Sequence, residues 1–200
     1  MLEKLNFKTC ETQAFVNKPK TSKRWIEAGY ELFASEGLGG IHVERLARIV
    51  GLNKSGFYHY FNDMDNFSGQ LIHHHFTAFD IFLEDVHQCQ NIDPEYIKVL
   101  IKHKTTVMGQ IHLVRDRGSR LLNGSHKALD DKIDRAILRI WADHIQLPNN
   151  LDLALEYHKL IRDVFYSRVN LENLNYEYLH NLAEEAKGMV SKMIGEKTIV

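Results

Sequence analysis

Residues 25–67 read WIEAGYELFASEGLGGIHVERLARIVGLNKSGFYHYFNDMDNF. Apolar or small residues recur three and four apart at Trp25-Ile26, Gly29 and Leu32-Phe33, the spacing of a helix with one inward face. Gly37 follows, where a helix C-terminus calls for a residue tolerant of positive φ. A second pattern, Val43, Leu46-Ala47 and Val50, closes at Gly51, and a third runs from 53 to 61. A helix, a short glycine-containing turn and a second short helix make a helix-turn-helix. The second helix of such a unit fits the major groove of a duplex and meets base edges with its first residues.

The side chains suit that geometry. Gly51 supplies the sharp turn, Leu52 is expected to plug the turn into the core, and Asn53 is a good N-cap for the third helix. Lys54, Ser55 and Gly56 give its first turn a cation, a hydroxyl and a bare surface that can lie close to DNA. Tyr58 and His59 can donate to phosphates, while Phe57 and Phe61 are expected to point inward. Residues 1–20 read as a flexible basic arm, and Lys18, Lys20, Lys23 and Arg24 could touch phosphate or the minor groove.

The stretch resembles the N-terminal part of the TetR family of bacterial transcriptional repressors. Ala28, Leu32-Phe33, Gly37, Leu46-Ala47, Val50-Gly51-Leu52, Lys54, Phe57-Tyr58, Phe61 and Phe67 carry the resemblance, in order and without gaps. It covers roughly a fifth of the chain; the rest offers a compatible length and helical pattern. Four positions depart from the family's habit. His42 stands where Ser or Thr usually caps the second helix, Gly56 where Thr is common, and Tyr60 where His is common. Met64, between Asp63 and Asp65, replaces a Lys that grips a phosphate. The resemblance implies DNA contacts at His42, Asn53, Lys54, Ser55, Gly56, Tyr58 and His59, flanked by Lys23 and Arg24.

The composition is that of an ordinary globular protein. Two hundred residues with 44% hydrophobic and 26% charged side chains suit one domain or two small ones. A formal net charge of −1 argues against a nonspecific nucleic-acid coat, but not against a local basic patch. From 18 to 62 the chain holds seven Lys or Arg against four Glu, so this part is basic and the rest mildly acidic. Cys10 and Cys89 make neither a metal spacing nor a disulfide framework, which fits a reducing cytoplasm. No apolar run is long enough for a membrane span, and the first residues lack the apolar core of a signal peptide. Three prolines, Pro19, Pro94 and Pro148, fall outside the helical patterns.

An all-α chain of about nine helices is therefore expected. The first three cover 21–35, 42–50 and 53–61, and the fourth runs from 63 to 89 with Asp63 as its cap. Later helices are read at 94–108, 110–117, 129–145, 151–169 and 175–194, with turns at Asn91-Ile92-Asp93-Pro94 and Leu147-Pro148-Asn149-Asn150 and with Asn175 capping the last. The domains expected are the arm at 1–20, a DNA-binding head at 21–64 and an effector-binding and dimerisation body at 65–200.

Leu153, Tyr157, Leu160-Ile161 and Val164-Phe165 make one stripe on 151–169. Leu179, Leu182-Ala183, Ala186, Met189-Val190 and Met193 make another on 175–194. The resemblance implies that these two helices pair with their two-fold mates in a homodimer. It also implies a small-molecule effector pocket in the body, for which Phe79, Phe82, Met108, His112, Trp141, His144, His158 and Phe165 are the candidate liners. Each of these is at least as well read as plain core.

Other chemistry has weaker support. His73-His74-His75 cannot converge on one metal from a helix, because successive residues point about 100° apart, and they read as a polar, partly exposed turn. Glu84–His87 and Glu177–His180 repeat the Glu-x-x-His element of di-iron bundles, but sit at helix ends and arise by accident at this Glu and His content. Arg115, Arg117 and Arg120 read as a solvated loop before an anion site. No P-loop, dinucleotide fingerprint or nucleophile elbow occurs. No catalytic residue, metal or cofactor is expected. The reading is a DNA-binding regulator switched by an effector; the alternative is a relative that keeps the fold and has lost DNA, motivated by Asp63, Met64 and Asp65.

Overall fold

The computed structural model describes the backbone of residues 8–116 and 125–197, and the side chains of 21–116 and 126–193. Nine α-helices and no strands occur among the described residues. They are α1 (Lys8–Glu36), α2 (Val43–Val50), α3 (Lys54–Phe61), α4 (Met64–Val86), α5 (Ile97–Lys102), α6 (Lys104–Arg115), α7 (Ser125–His144), α8 (Leu151–Arg168) and α9 (Tyr176–Lys197). The turns between them form where the sequence places glycines and Asx caps. Gly37 and Gly51 take φ of 73° and 72°. Asn53, Asp63, Asn91, Asn150 and Asn175 each accept a backbone N–H at the start of the following segment.

Several boundaries differ from expectation. α1 begins at Lys8, so residues 8–20 of the expected arm are helical and Pro19 lies inside a helix. Between Lys8 and Thr21 the chain has no glycine, and Pro19 is the only strong helix breaker, which the helix runs through. Residues 1–7 lie outside the described part. α4 stops at Val86, three residues early.

The break expected near Met108 falls instead at His103, whose φ and ψ of −100° and 34° separate α5 from α6. Asp85, at the end of α4, holds both sides of that break, accepting from Lys102 Nζ at 2.6 Å and meeting His103 Nε2 at 2.5 Å. Gly109, which falls between the expected helices 94–108 and 110–117, sits inside α6, where the helix crosses its neighbours with no room to spare. A Cβ at 109 would lie 3.0 Å from His75 Nδ1 and 3.3 Å from a Phe33 ring carbon.

α1 packs along α6, α4 and α2, so one buried cluster runs without interruption from Trp25 and Phe57 in the head to Ile137 and Leu182 in the body. At the crossing of α1 and α4, a Cβ on Gly29 would lie 2.4 Å from Phe67 Cζ, so only glycine lets the two helices approach this closely. A second cluster gathers Ile92, Trp141, Ala142, Ile145, Ala154, Ala186 and Val190. α8 packs chiefly on α7, and α9 on α5 and the turn at Ile92–Tyr96.

A candidate nucleic-acid interface and a cavity in the body

The head is built around rings. Phe57, Phe61 and Phe67 have centroids 4.9 to 5.2 Å apart and no exposure, and Trp25 meets Phe57 edge-on at 5.6 Å. With Phe57 and Phe61 turned inward, Lys54, Ser55, Tyr58 and His59 share the outer face of α3, at positions i, i+1, i+4 and i+5, and all four are exposed. Asn53 fixes the start of that face, accepting from Gly56 N–H at 2.9 Å and from Ser55 Oγ at 2.8 Å. A Cβ at Gly56 would meet only ordinary contacts, so packing does not require glycine there. His42 precedes α2 in extended backbone, exposed and making no side-chain cap.

The turn differs from expectation in one respect. Leu52 is 37% exposed and does not plug it. The turn is closed by backbone, Gly51 and Leu52 N–H both donating to Ala47 O, and by Val50 beneath it.

The cations of the head are largely engaged. Arg24 Nη2 donates to Val50 O at 2.7 Å, on the carbonyl end of α2. Lys54 Nζ meets Glu44 Oε1 at 2.5 Å, Arg45 grips Glu36 with two bonds of 2.5 and 2.6 Å, and Lys23 lies 3.5 Å from Glu27. The arginine beside Glu36 holds that carboxyl below its usual range, and Lys54 does the same for Glu44. Arg48 is exposed with no ion-pair partner among the described residues. It was missed in the sequence because α2 was read for its buried stripe, and Arg48 stands on the opposite side. Met64 is half-buried against the core. Of its two acidic neighbours, Asp63 is occupied as the cap of α4 and Asp65 is exposed.

The body holds a half-open cavity of about 110 Å³. Of the candidate liners, Phe79, Phe82, Trp141, His158 and Phe165 surround it. Met108, His112 and His144 do not. α6 reaches the cavity through Val107 and Gln110, while Met108 is buried elsewhere in the core and His112 turns to Phe33 of α1. His112 there lies 6.2 Å from the Phe33 ring, and burial lowers its pKa. His144 is beyond the cavity, its Nε2 3.2 Å from Ala183 O.

Polar liners that the sequence did not single out are Tyr96, Gln110, Arg162 and Tyr166. No local signal marks them: Gln110, Arg162 and Tyr166 gain their roles from partners on other helices, and Tyr96 from its place in the wall. Arg162 Nη1 donates to Asp134 Oδ1, and His158 Nδ1 lies 3.0 Å from the same oxygen without the alignment of a hydrogen bond. Burial alone would raise the Asp134 pKa, but His158 and Arg162 hold it below the usual carboxylate range. Arg162 Nε is buried with no partner.

A chain of buried hydrogen bonds leads away from the cavity wall. Tyr166 Oη donates to Asp130 Oδ1 at 2.6 Å, and Gln110 Nε2 donates to the same oxygen at 2.8 Å. Gln110 Oε1 faces His75 Nε2 at 3.3 Å, and His75 Nδ1 faces Tyr30 Oη at 2.9 Å. Burial lowers the His75 pKa to about 4, so the ring is neutral at pH 7. With its single proton on Nε2 it donates to Gln110 and accepts from Tyr30, so the donors from both ends of the chain converge on Asp130 Oδ1. The reading of His73-His74-His75 as a polar, partly exposed turn therefore fails at His75, which is fully buried.

The remaining candidates resolve simply. Among the described residues no group of three or more His, Cys, Asp or Glu could hold a metal ion. Glu84 and His87 are exposed, and His180 Nδ1 is held by Asp93 at 2.5 Å. Arg115, rather than lying in a solvated loop, donates to Tyr166 O and Val169 O at the end of α8. Arg117 and Arg120 lie outside the described residues. No described helix is long and apolar enough to cross a membrane.

Comparison with known proteins agrees with this architecture. Residues 26–67 match the family model of bacterial regulatory proteins, tetR family. No curated protein matches the sequence. A transcriptional regulator of the TerR/AcrR family from Aquifex aeolicus VF5 has a similar fold, with a TM-score of 0.56 and 18% identity, covering 86% of this chain and 99% of that one. A structure described as a TetR-family regulator, from Mesorhizobium loti MAFF303099, gives a TM-score of 0.55 and 14% identity over 89% of this chain and 96% of that one. The head at 26–67 thus matches the tetR-family model, and the fold of the described residues is similar to that of these two regulators.

Proposed function

We propose that the chain is a cytoplasmic, sequence-specific DNA-binding repressor that acts as a homodimer and is released by a small molecule held in the body cavity. The observation that carries the reading is the outer face of α3. Lys54, Ser55, Tyr58 and His59 stand exposed together on a helix whose start is fixed by Asn53 and whose approach is fixed by the left-handed Gly51. In this role Lys54, Ser55 and Gly56 meet base edges or the phosphates beside them. Tyr58, His59, His42, Lys23 and the unpaired Arg48 position the backbone.

Dimerisation through 151–169 and 175–194 is supported by the apolar surface those helices leave open. Leu160 is 62% exposed and Met193 51%. The half-buried Leu153, Tyr157 and Val164 continue the α8 stripe, while Ala154, His158 and Tyr166 form that helix's buried side. Two such heads would address half-sites one helical turn apart or a multiple of it. Release by ligand needs ~1–3 kcal/mol of coupling between cavity and head.

The test is a fluorescence-anisotropy titration of the intergenic DNA beside the coding region against a shuffled duplex, with wild type and Met64→Lys. Preference for the native segment, with a gain within ~1 kcal/mol for Met64→Lys, supports a reader that has compensated for the absent lysine. Absence of binding by wild type, with strong binding restored by Met64→Lys, overturns it in favour of a regulator that keeps the fold without DNA.

A further inference from the structure

Resting on the reading of the cavity as an effector site, we propose that its ligand is a neutral molecule about one aromatic ring in size, which presents a hydrogen-bond acceptor to Arg162 and Tyr96. Size comes first. The cavity measures about 110 Å³, somewhat below the ~150 Å³ of an apolar cavity that takes up benzene. Its walls are Phe79, Phe82, Trp141 and Phe165 with aliphatic neighbours, so most of the ligand surface meets apolar carbon.

Charge decides the next step. Arg162 is the only fully charged side chain in the lining, and its charge is cancelled by Asp134, which stands behind it and does not line the cavity. Asp130 likewise stands behind Tyr166 and Gln110, which occupy its Oδ1. An anionic ligand would therefore enter a wall whose cation is already neutralised, with two carboxylates close behind it. A cationic ligand would find no carboxylate on the surface it touches. Burying either charge without a partner is strongly unfavourable.

The polar atoms left over include two donors, while His158 Nδ1, also without a hydrogen bond, lies 3.0 Å from the Asp134 carboxylate. Arg162 Nε–H is buried and unpartnered. The Tyr96 hydroxyl has no hydrogen bond among the described residues. Gln110 is spent on both sides, its amide N–H groups on Asp130 and His126 O and its oxygen on His75. A carbonyl or ether oxygen on a small ring would complete this wall, and a plain hydrocarbon would leave its donors unmade.

The experiment is calorimetric titration of the full-length protein with four probes of similar size: acetophenone, ethylbenzene, benzoate and benzylammonium. Acetophenone is expected to bind about tenfold more tightly than ethylbenzene, the worth of one buried donor satisfied, and more tightly than either ion. Tyr96→Phe removes a hydroxyl that holds no partner, so the variant should fold. It is expected to reduce acetophenone binding several-fold and leave ethylbenzene unchanged. Equal affinity for all four probes, preference for an ion, no binding of any at millimolar concentration, or an unaltered acetophenone affinity in Tyr96→Phe would each overturn the assignment. Operator binding measured on the same preparation separates the two readings. Native DNA bound with no ring compound bound removes only the ligand assignment. Selective acetophenone binding with no operator bound leaves it standing and removes the repressor.

Discussion

The head and the body solve the problem of a buried interior in opposite ways. In the head, Trp25, Phe57, Phe61 and Phe67 fill the space with rings, and the one buried polar atom among them, Trp25 Nε1, has no partner. In the body, His75, Gln110, Asp130 and Tyr166 are buried and hydrogen-bonded in series, with Tyr30 of α1 at one end, and Arg162 pairs with Asp134 beside the cavity. An apolar core tolerates no voids but makes no demand on pH or hydrogen-bond geometry. A polar interior demands that every member be satisfied, and a group that enters or leaves it is felt by the rest. The division suits a rigid reading surface carried by a body that responds to what it holds.

The comparison can be broken most severely in the head. Phe57→Ala removes a fully buried ring from the centre of the aromatic cluster and should cost about 3–5 kcal/mol. Hydrogen exchange should show protection lost first in α2 and α3 while α7 and α8 retain theirs. Equal loss throughout would mean that the single buried cluster joining head and body behaves as one unit.

A smaller effect sharpens the body's side. His75 has a folded pKa of about 4 against an ordinary value of 6.5. Between those pH values the unfolded chain binds a proton that the folded one refuses. Stability from this group is therefore complete above pH 6.5 and declines as pH falls towards 4, by about 2 kcal/mol at pH 5. His74 and His112, lowered by burial, act in the same direction. Asp85, Asp93 and Asp134, lowered from ordinary carboxylate values, lose their contribution only at more acid pH. His75→Gln, which keeps a donor and an acceptor and does not titrate, should flatten the decline between pH 6.5 and 5 in denaturant midpoints. An unchanged slope would assign the pH dependence elsewhere.

The smallest effect returns to the head. Gly56→Ala places a methyl where the nearest atoms are 3.4 and 3.9 Å away, so it should stabilise the protein by roughly 0.5–1 kcal/mol. A melting temperature that falls instead would show that α3 is held more tightly than its contacts suggest.

How legible each region was in the sequence follows the same division. Gly37, Gly51, Asn53 and Asp63 act through their own backbone or the next turn, and each took the role that its residue type implies. Phe57 and Phe61 faced inward as their spacing required. The interior of the body was poorly legible, because Gln110, Asp130 and Tyr166 are ordinary polar residues until α6, α7 and α8 bring them together. The break at His103 depends on Asp85, eighteen positions earlier, and Leu52 lost its expected place to backbone bonds that leave no trace in residue type.

The ion pairs of the head carry a consequence for how such a protein would search a genome. Lys54 and Arg45 would approach a duplex already neutralised by Glu44 and Glu36, and Arg24 is committed to the Val50 carbonyl at the end of α2. Cations of this kind displace few condensed counterions when they meet phosphate. The logarithm of affinity should therefore fall with the logarithm of salt less steeply than the seven cations between 18 and 62 would suggest. On the proposed reading, a head with so small an electrostatic footprint would linger little on bulk DNA, and more of its residence would be left to its operator.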